Sequence, residues 1–334
     1  MNRPKIGLAF SGGSGRAIAH AGVLDVLTEN GIPVDYIAAC SSGTFIAAAY
    51  ACGTLPSLKK YIFEDLTHRE LLGLFRASSD GSGILSLDAL DQKLLVFTKG
   101  LNMEDVRPHL AFVAVDLNNG EQVAISMGDM IRAIKASCSV PGLFEPVKWG
   151  HKRLADGGLV NIVPADVVKE MGADIVISVD IAASRYVFSP RSLQLFRNLL
   201  RIVNGTTAPF TYARKVLKLV GRALRTTTVE FYSQSDVLDQ AEESYGVLKV
   251  IGQVLEISAR RLESTITFED VSDIIIEPKV KHFGRTDFKS LLATYQESRR
   301  ATISVLPKIK KLLEGSQAGK LTGQVSPSPL TTNQ

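Results

Sequence analysis

The stretch AACSSGTF, Ala38 to Phe45, places two serines in a charge-free segment that continues the apolar run Tyr36-Ile37-Ala38. Hydroxyls at such a point have two uses. They can cap the helix expected from about Phe45 to Ala51, or one of them can be a nucleophile lifted onto a sharp strand-to-helix turn. That turn normally reads G-x-S-x-G, because small residues two before and two after the serine relieve its crowding. Ala39-Cys40-Ser41-Ser42-Gly43 fits with alanine in the first glycine's place, which makes Ser41 the central residue. A helix starting there aims its positive end at the hydroxyl and favours a nearby oxyanion. Ser42 and Thr44 then read as capping and packing residues, and Cys40 as a small buried apolar group.

A serine nucleophile needs a base. Five histidines are present, and none has an acidic partner at a convincing spacing. His20 falls inside an expected helix and reads as a packing residue. His151 precedes Asp156 by five residues in WGHKRLADGG and is one alternative. Asp156 is the other. It follows the apolar pair Leu154-Ala155 and precedes Gly157-Gly158, at an expected strand end. Partial desolvation raises a carboxylate's pKa toward the range in which it can accept a proton from serine. Asp-Gly is also an ordinary turn signal, so a plain turn aspartate is the competing reading.

A second chemical element is Ser11-Gly12-Gly13-Ser14-Gly15-Arg16, between an expected strand and an expected helix. Glycines there let the backbone approach a ligand, and the first N–H groups of the helix favour an anion. Nucleotide readings fail: Ile18 stands where G-x-G-x-x-G needs its third glycine, and no Gly-Lys-Ser/Thr follows. The remaining chemical use is an oxyanion hole. A tight strand-to-helix turn with no ligand is the alternative.

The elements that must position these residues follow an α/β pattern. Strands are predicted at Ile6–Phe10, Tyr36–Ala39, Leu110–Asp116 and Gln122–Ser126, and again at Ile175–Asp180. Helices are predicted at Ala17–Glu29, Phe45–Ala51, Met130–Ala136 and Pro164–Met171. Asn118-Asn119-Gly120 marks a hairpin turn. Strands interleaved with helices imply a mainly parallel sheet covered on both faces. From about Ser316 the chain is rich in Ser, Thr, Gly, Pro and Gln, and residues 316–334 are expected to be a disordered tail.

Composition removes several classes. With 334 residues and 45% hydrophobic content the chain can bury a large core. A net charge of +4 gives no general case for nucleic acid. Cys40, Cys52 and Cys138 cannot form a disulfide framework and show no metal-ligand spacing, which fits a reducing compartment. Lys5 to Phe10 reads as a first strand, not as part of an export signal. Tyr36 to Leu58 is uncharged, yet two glycines, a proline and five Ser or Thr residues argue against a membrane span. A cytoplasmic protein with peripheral membrane contact is expected.

Taken together, the segments SGGSGRAIAHAGVL (Ser11 to Leu24), Asp35 to Tyr50, ASCSVPGLFEPV (Ala136 to Val147) and DGGLVNIVP (Asp156 to Pro164) resemble patatin-like phospholipases, in the same order. DIIIEP, Asp273 to Pro278, and Phe283 to Phe288 resemble that family's final strand and adjoining segment. Within the family the likeness is to bacterial members similar to neuropathy target esterase. The resemblance covers roughly residues 5 to 310. It implies a patatin-like three-layer α/β/α fold as a single domain over residues 1–315, with no cofactor. It also implies a Ser-Asp dyad without histidine, with Ser41 as nucleophile and Asp156 as its partner. Gly12, Gly13, Ser14, Gly15 and Arg16 match the oxyanion segment, where Ser14 and Ala17 replace glycines of the family pattern, as Ala39 does in the elbow. The implied activity is lipid acyl hydrolysis through an acyl-serine, on phospholipid, lysophospholipid or another fatty-acyl ester. A transacylase with the same dyad and a catalytically impaired lipid-binding protein are the alternatives. Arg16 has two readings, reinforcement of the oxyanion hole or a scaffold ion pair.

Between Arg185 and Val229 lie nine basic residues and no acidic one. Arg191, Arg197 and Arg201 in one stretch, and Lys215, Lys218 and Arg222 in the next, follow helical spacing opposite apolar residues. Two readings are open: a basic amphipathic element contacting anionic membrane, or a cover for the protein's own core.

Overall fold

Short runs of β-branched and small apolar residues, IGLAF, YIAAC, HLAFVAVD and IVISV, build the middle of one sheet, and nearly all of their residues are buried. Such unbroken runs belong to strands covered on both faces. The computed structural model describes residues 3–67, 70, 76–77, 82–83, 85–182, 267–280, 282–283 and 290–322. The strands are β1 (Ile6–Phe10), β2 (Tyr36–Cys40), β3 (Arg76–Ala77), β4 (Leu85–Ser86), β5 (His109–Asp116), β6 (Gln122–Ile125), β7 (Val147–Trp149), β8 (Lys152–Asp156), β9 (Ile175–Val179) and β10 (Ile274–Ile276). Eight of them form the main sheet, in the order β10-β9-β1-β2-β5-β8-β7 with β6 also on β5, while β3 and β4 pair separately.

The sheet is parallel from β10 through β9, β1 and β2 to β5. Beyond β5 it turns antiparallel, through the β5–β6 hairpin at Asn118-Asn119-Gly120 and the pairs β5–β8 and β7–β8. The mainly parallel expectation therefore holds, with an antiparallel portion beyond β5. The β7–β8 hairpin, formed around Gly150, carries no strong sequence pattern.

Alternation along the strands divides the core in two. Leu8, Phe10, Ile37, Ala39, Phe112 and Ile177 face a thick layer that includes helices α1 (Ile18–Glu29), α2 (Gly43–Ala51), α3 (Leu55–Lys60), α4 (Asp91–Thr98) and α5 (Met130–Cys138). Ala9, Ala38, Ala111, Val113 and Val176 face a thin layer with α6 (Ala165–Glu170) and α7 (Phe268–Val271). Small residues on that face let α6 lie close: a side chain at Gly7 would collide with Val168. The last helix, α8 (Leu291–Thr322), packs along α1, where Gly22 faces the Tyr295 carbonyl and Ser298. Residues 316–322 belong to this helix. Residues 323–334 and the basic stretch 185–229, with Arg191, Arg197, Arg201, Lys215, Lys218 and Arg222, lie outside the described residues.

Candidate active site

Strand register alone brings residues 41 and 156 together. Strands β2 and β6 pair with overlapping residues of β5 (Cys40↔Val113 and Val113↔Ala124), so they occupy opposite edges of it. Strand β8 overlaps β6 at Ala114 and Val115, which puts β8 on the β2 edge. It runs antiparallel and ends with Asp156 opposite Ala114, one step past the Cys40↔Val113 pair. The chain of β2 thus leaves the sheet at Ser41 where the chain of β8 arrives at Asp156. Ser41 Oγ donates to Asp156 Oδ2 at 2.6 Å, across 115 positions of sequence.

Ser41 stands on the turn with φ of 50°, a left-handed conformation uncommon for a residue with a side chain. Such strain persists only where neighbours over-determine it. Thr44 donates to the Ser41 carbonyl through both its N–H (3.0 Å) and its Oγ1 (2.7 Å), and the Ser41 N–H donates to Ser137 Oγ at 2.9 Å. Gly43 is required by close approach: a Cβ there would lie 2.9 Å from the Ser11 carbonyl oxygen. Ala39, in the first glycine's position, buries its methyl fully in the thick layer, so the turn accommodates it.

Asp156 is 5% exposed, and burial pushes its carboxyl up to about 6, while hydrogen bonds from Ser41, the Gly158 N–H and Cys40 pull the other way. The Gly158 N–H reaches Oδ1 at 2.8 Å and the Cys40 thiol lies 3.9 Å from the same oxygen. Burial and the Asp156 charge hold the Cys40 thiol well above its ordinary pKa, so it stays protonated. This carboxylate is buried among donors with its second oxygen on a serine hydroxyl, an arrangement suited to general-base work.

The glycine segment lies beside this pair. A Cβ at Gly12 would come within 3.0 Å of Ser41 Cβ. The Gly12 N–H donates to the Ile162 carbonyl at 3.3 Å and the Gly13 N–H to Ser42 Oγ at 3.1 Å; Ser42 sits at the N-cap of α2 but makes no side-chain capping bond there, its hydroxyl accepting from the glycine turn instead. Ser14 has φ of 55° and opens the short 3-10 turn Ser14–Ala17. Arg16 is buried and donates from Nε and Nη2 to the Phe283 carbonyl, at 3.0 and 2.7 Å. It fastens the glycine turn to the segment at residues 282–283.

Neither His20 nor His151 touches the Ser41–Asp156 pair. His20 is fully buried, stacks on Phe10 at 4.3 Å and pairs with the Ser11 carbonyl at 2.8 Å; burial pushes its pKa down to about 4. His151 is exposed in the β7–β8 turn, a strand length or about 16 Å from Asp156. Sequence reasoning overlooked Ser137, whose wholly buried hydroxyl accepts from Ser41 and donates to the Val113 carbonyl at 2.6 Å. Its only sequence signal was membership of the ASCSVPGLFEPV block. Among the described residues no group of metal-ligating side chains is found, and no helix is long and apolar enough to cross a membrane.

Residues 8–169, which contain both residues of the pair and the glycine segment, match the family Patatin-like phospholipase. The chain carries a domain of that family, in its three-layer fold with a mostly parallel sheet. An uncharacterized NTE family protein of Mycobacterium tuberculosis is 30% identical over 181 residues, 54% of this chain and 50% of that protein. Lysophospholipase NTE1 of Debaryomyces hansenii is 28% identical over 193 residues, 55% of this chain and 12% of that protein. The chain spans half or less of the length of these curated relatives. Among solved structures, VipD of Legionella pneumophila is similar at a TM-score of 0.44 and 13% identity, covering 92% of this chain and 67% of that one.

Proposed function

We propose that this protein is a serine lipid acyl hydrolase, of phospholipase A, lysophospholipase or esterase type, working through a Ser41-Asp156 dyad. The observation that carries the reading is the 2.6 Å hydrogen bond from a strained elbow serine to a buried aspartate. Asp156 Oδ2 takes the Ser41 proton as Oγ attacks the ester carbonyl. The developing oxyanion needs donors. Gly12 and Gly13 N–H groups already have acceptors, so Ser14 and Gly15 supply theirs, at the start of a turn whose first N–H groups have no partner within it. The leaving alcohol takes the proton from Asp156, and a water deprotonated by the same carboxylate releases the fatty acid from Ser41. Substrate is a fatty-acyl ester in phospholipid or lysophospholipid. The basic stretch 185–229 is proposed to bring the cleft to an anionic bilayer; flotation with anionic liposomes should lose its signal at high salt, and binding indifferent to lipid charge would exclude this.

The test is a panel of lipid esters assayed on wild type, Ser41→Ala and Asp156→Asn. Hydrolysis by wild type and loss of at least a thousandfold in Ser41→Ala is the expected outcome, on the scale of other nucleophile removals. Full turnover in Ser41→Ala would rule out this nucleophile. Transfer of acyl groups to added alcohol in preference to water would mark a transacylase.

A further inference from the structure

The ladder between β2 and β5 is broken at one rung, and a side chain fills the break. Parallel pairing at Cys40↔Val113, continued one residue, would send the Ser41 N–H directly to the Val113 carbonyl. Instead the Ser41 N–H donates to Ser137 Oγ at 2.9 Å, and Ser137 Oγ donates to the Val113 carbonyl at 2.6 Å. A hydroxyl has been inserted into the rung. It satisfies both backbone groups while holding Ser41 a side chain's width away from β5.

That displacement has two consequences at the same edge. It lets Ser41 adopt φ of 50°, which a residue kept in the ladder cannot. It also frees Ala114, the next residue of β5, to pair with Asp156. Ser137 sits near the end of α5, fully buried, one turn after Ala133 and two residues before Ser139, whose carbonyl accepts from the Asp156 N–H at 2.9 Å. The end of one helix therefore fixes both the nucleophile's backbone, through Ser137, and the base's backbone, through Ser139.

From this geometry we infer that Ser137 is a positioning residue for the dyad: its hydroxyl replaces a strand rung and sets Ser41 Oγ against Asp156. The inference rests on the hydrolase reading above. Alanine at this position removes both bonds and leaves a buried N–H and a buried carbonyl free to approach each other, drawing Ser41 back toward the ladder and away from Asp156.

The experiment compares wild type, Ser137→Ala, Ser137→Cys and Ser137→Thr, each checked for folding by urea denaturation. It measures p-nitrophenyl ester hydrolysis and the rate of fluorophosphonate labelling. In folded Ser137→Ala, kcat and the labelling rate should fall at least tenfold with KM within about threefold, since rate tracks nucleophile alignment and not ester binding. Ser137→Thr, which keeps the hydroxyl, should restore most of the loss. Should Ser137→Ala not fold, the isosteric Ser137→Cys, with its weak donor and acceptor, should show the same fall. A folded Ser137→Ala or Ser137→Cys with wild-type kcat and labelling rate would overturn the inference, as would losses fully accounted for by the folded fraction. Wild type that neither hydrolyses nor labels would instead remove the hydrolase reading, and this inference with it.

Discussion

Ser41 and Asp156 divide the chemistry between a residue under backbone strain and a residue under desolvation. The carboxyl, held near 6 by burial, is the base only when ionised. Activity should therefore be constant above pH 7 and fall about tenfold per unit as pH drops below 6, read as kcat/KM on a soluble ester. A flat profile down to pH 4.5 would show that another group takes the proton. Replacing Asp156 by Asn keeps the shape and removes the base, so the labelling rate should fall a hundredfold or more, within the range general-base catalysis contributes. Ser41 was marked in the sequence by its small neighbours, whereas the Asp-Gly-Gly strand end left Asp156 open against a plain turn aspartate and His151, and only the family resemblance implied the pairing. Ser137 carried no such mark, because its meaning lies in the Val113 carbonyl and the Ser41 N–H, which only the folded register brings to it. Arg16 was ambiguous for the same reason: its acceptor, the Phe283 carbonyl, is 267 positions away.

At the scale of elements, the account turns on close approach. Gly157 follows Asp156 on β8 directly over the Val113 carbonyl, and any Cβ there would collide with it. Gly157→Ala should push β8 off the β5 edge, lowering stability by about 1–3 kcal/mol in line with other overpacked sites and slowing labelling. Gly22, between α1 and the Tyr295 turn of α8, offers a control: Gly22→Ala should destabilise by a similar amount with no effect on labelling rate per folded molecule. Equal effects of the two on the labelling rate would mean that the β8 seam is not special. The parallel strands and their helices were readable from apolar runs and glycine stops. The antiparallel β7–β8 hairpin was not, since Val147–Trp149 is three residues long with no strong alternation, and α8 was not among the predicted helices.

For the whole molecule, two buried titratable groups work against each other. Asp156 is pushed up from 3.8 to about 6, so the folded state holds its proton longer and stability from this group is lost as pH rises through that window. His20 is pushed down from 6.5 to about 4, so the unfolded state takes the proton first and stability is lost as pH falls from 6.5 toward 4. Each shift of about two units corresponds to roughly 3 kcal/mol, so in wild type they largely offset between pH 4 and 6. Asp156→Asn should unmask the histidine, steepening the acid loss seen by urea denaturation; an unchanged slope would show that Asp156 is not buried as a charge. The central claim is itself one of tertiary structure, that a hydroxyl and a carboxylate 115 positions apart act as one unit. Its most direct measurement is fluorophosphonate labelling of wild type and Asp156→Asn, with the modified residue located by peptide mass spectrometry. A single adduct on Ser41, formed at least a hundredfold more slowly without the Asp156 carboxylate, is the predicted result, and an adduct elsewhere or at undiminished rate would contradict the dyad.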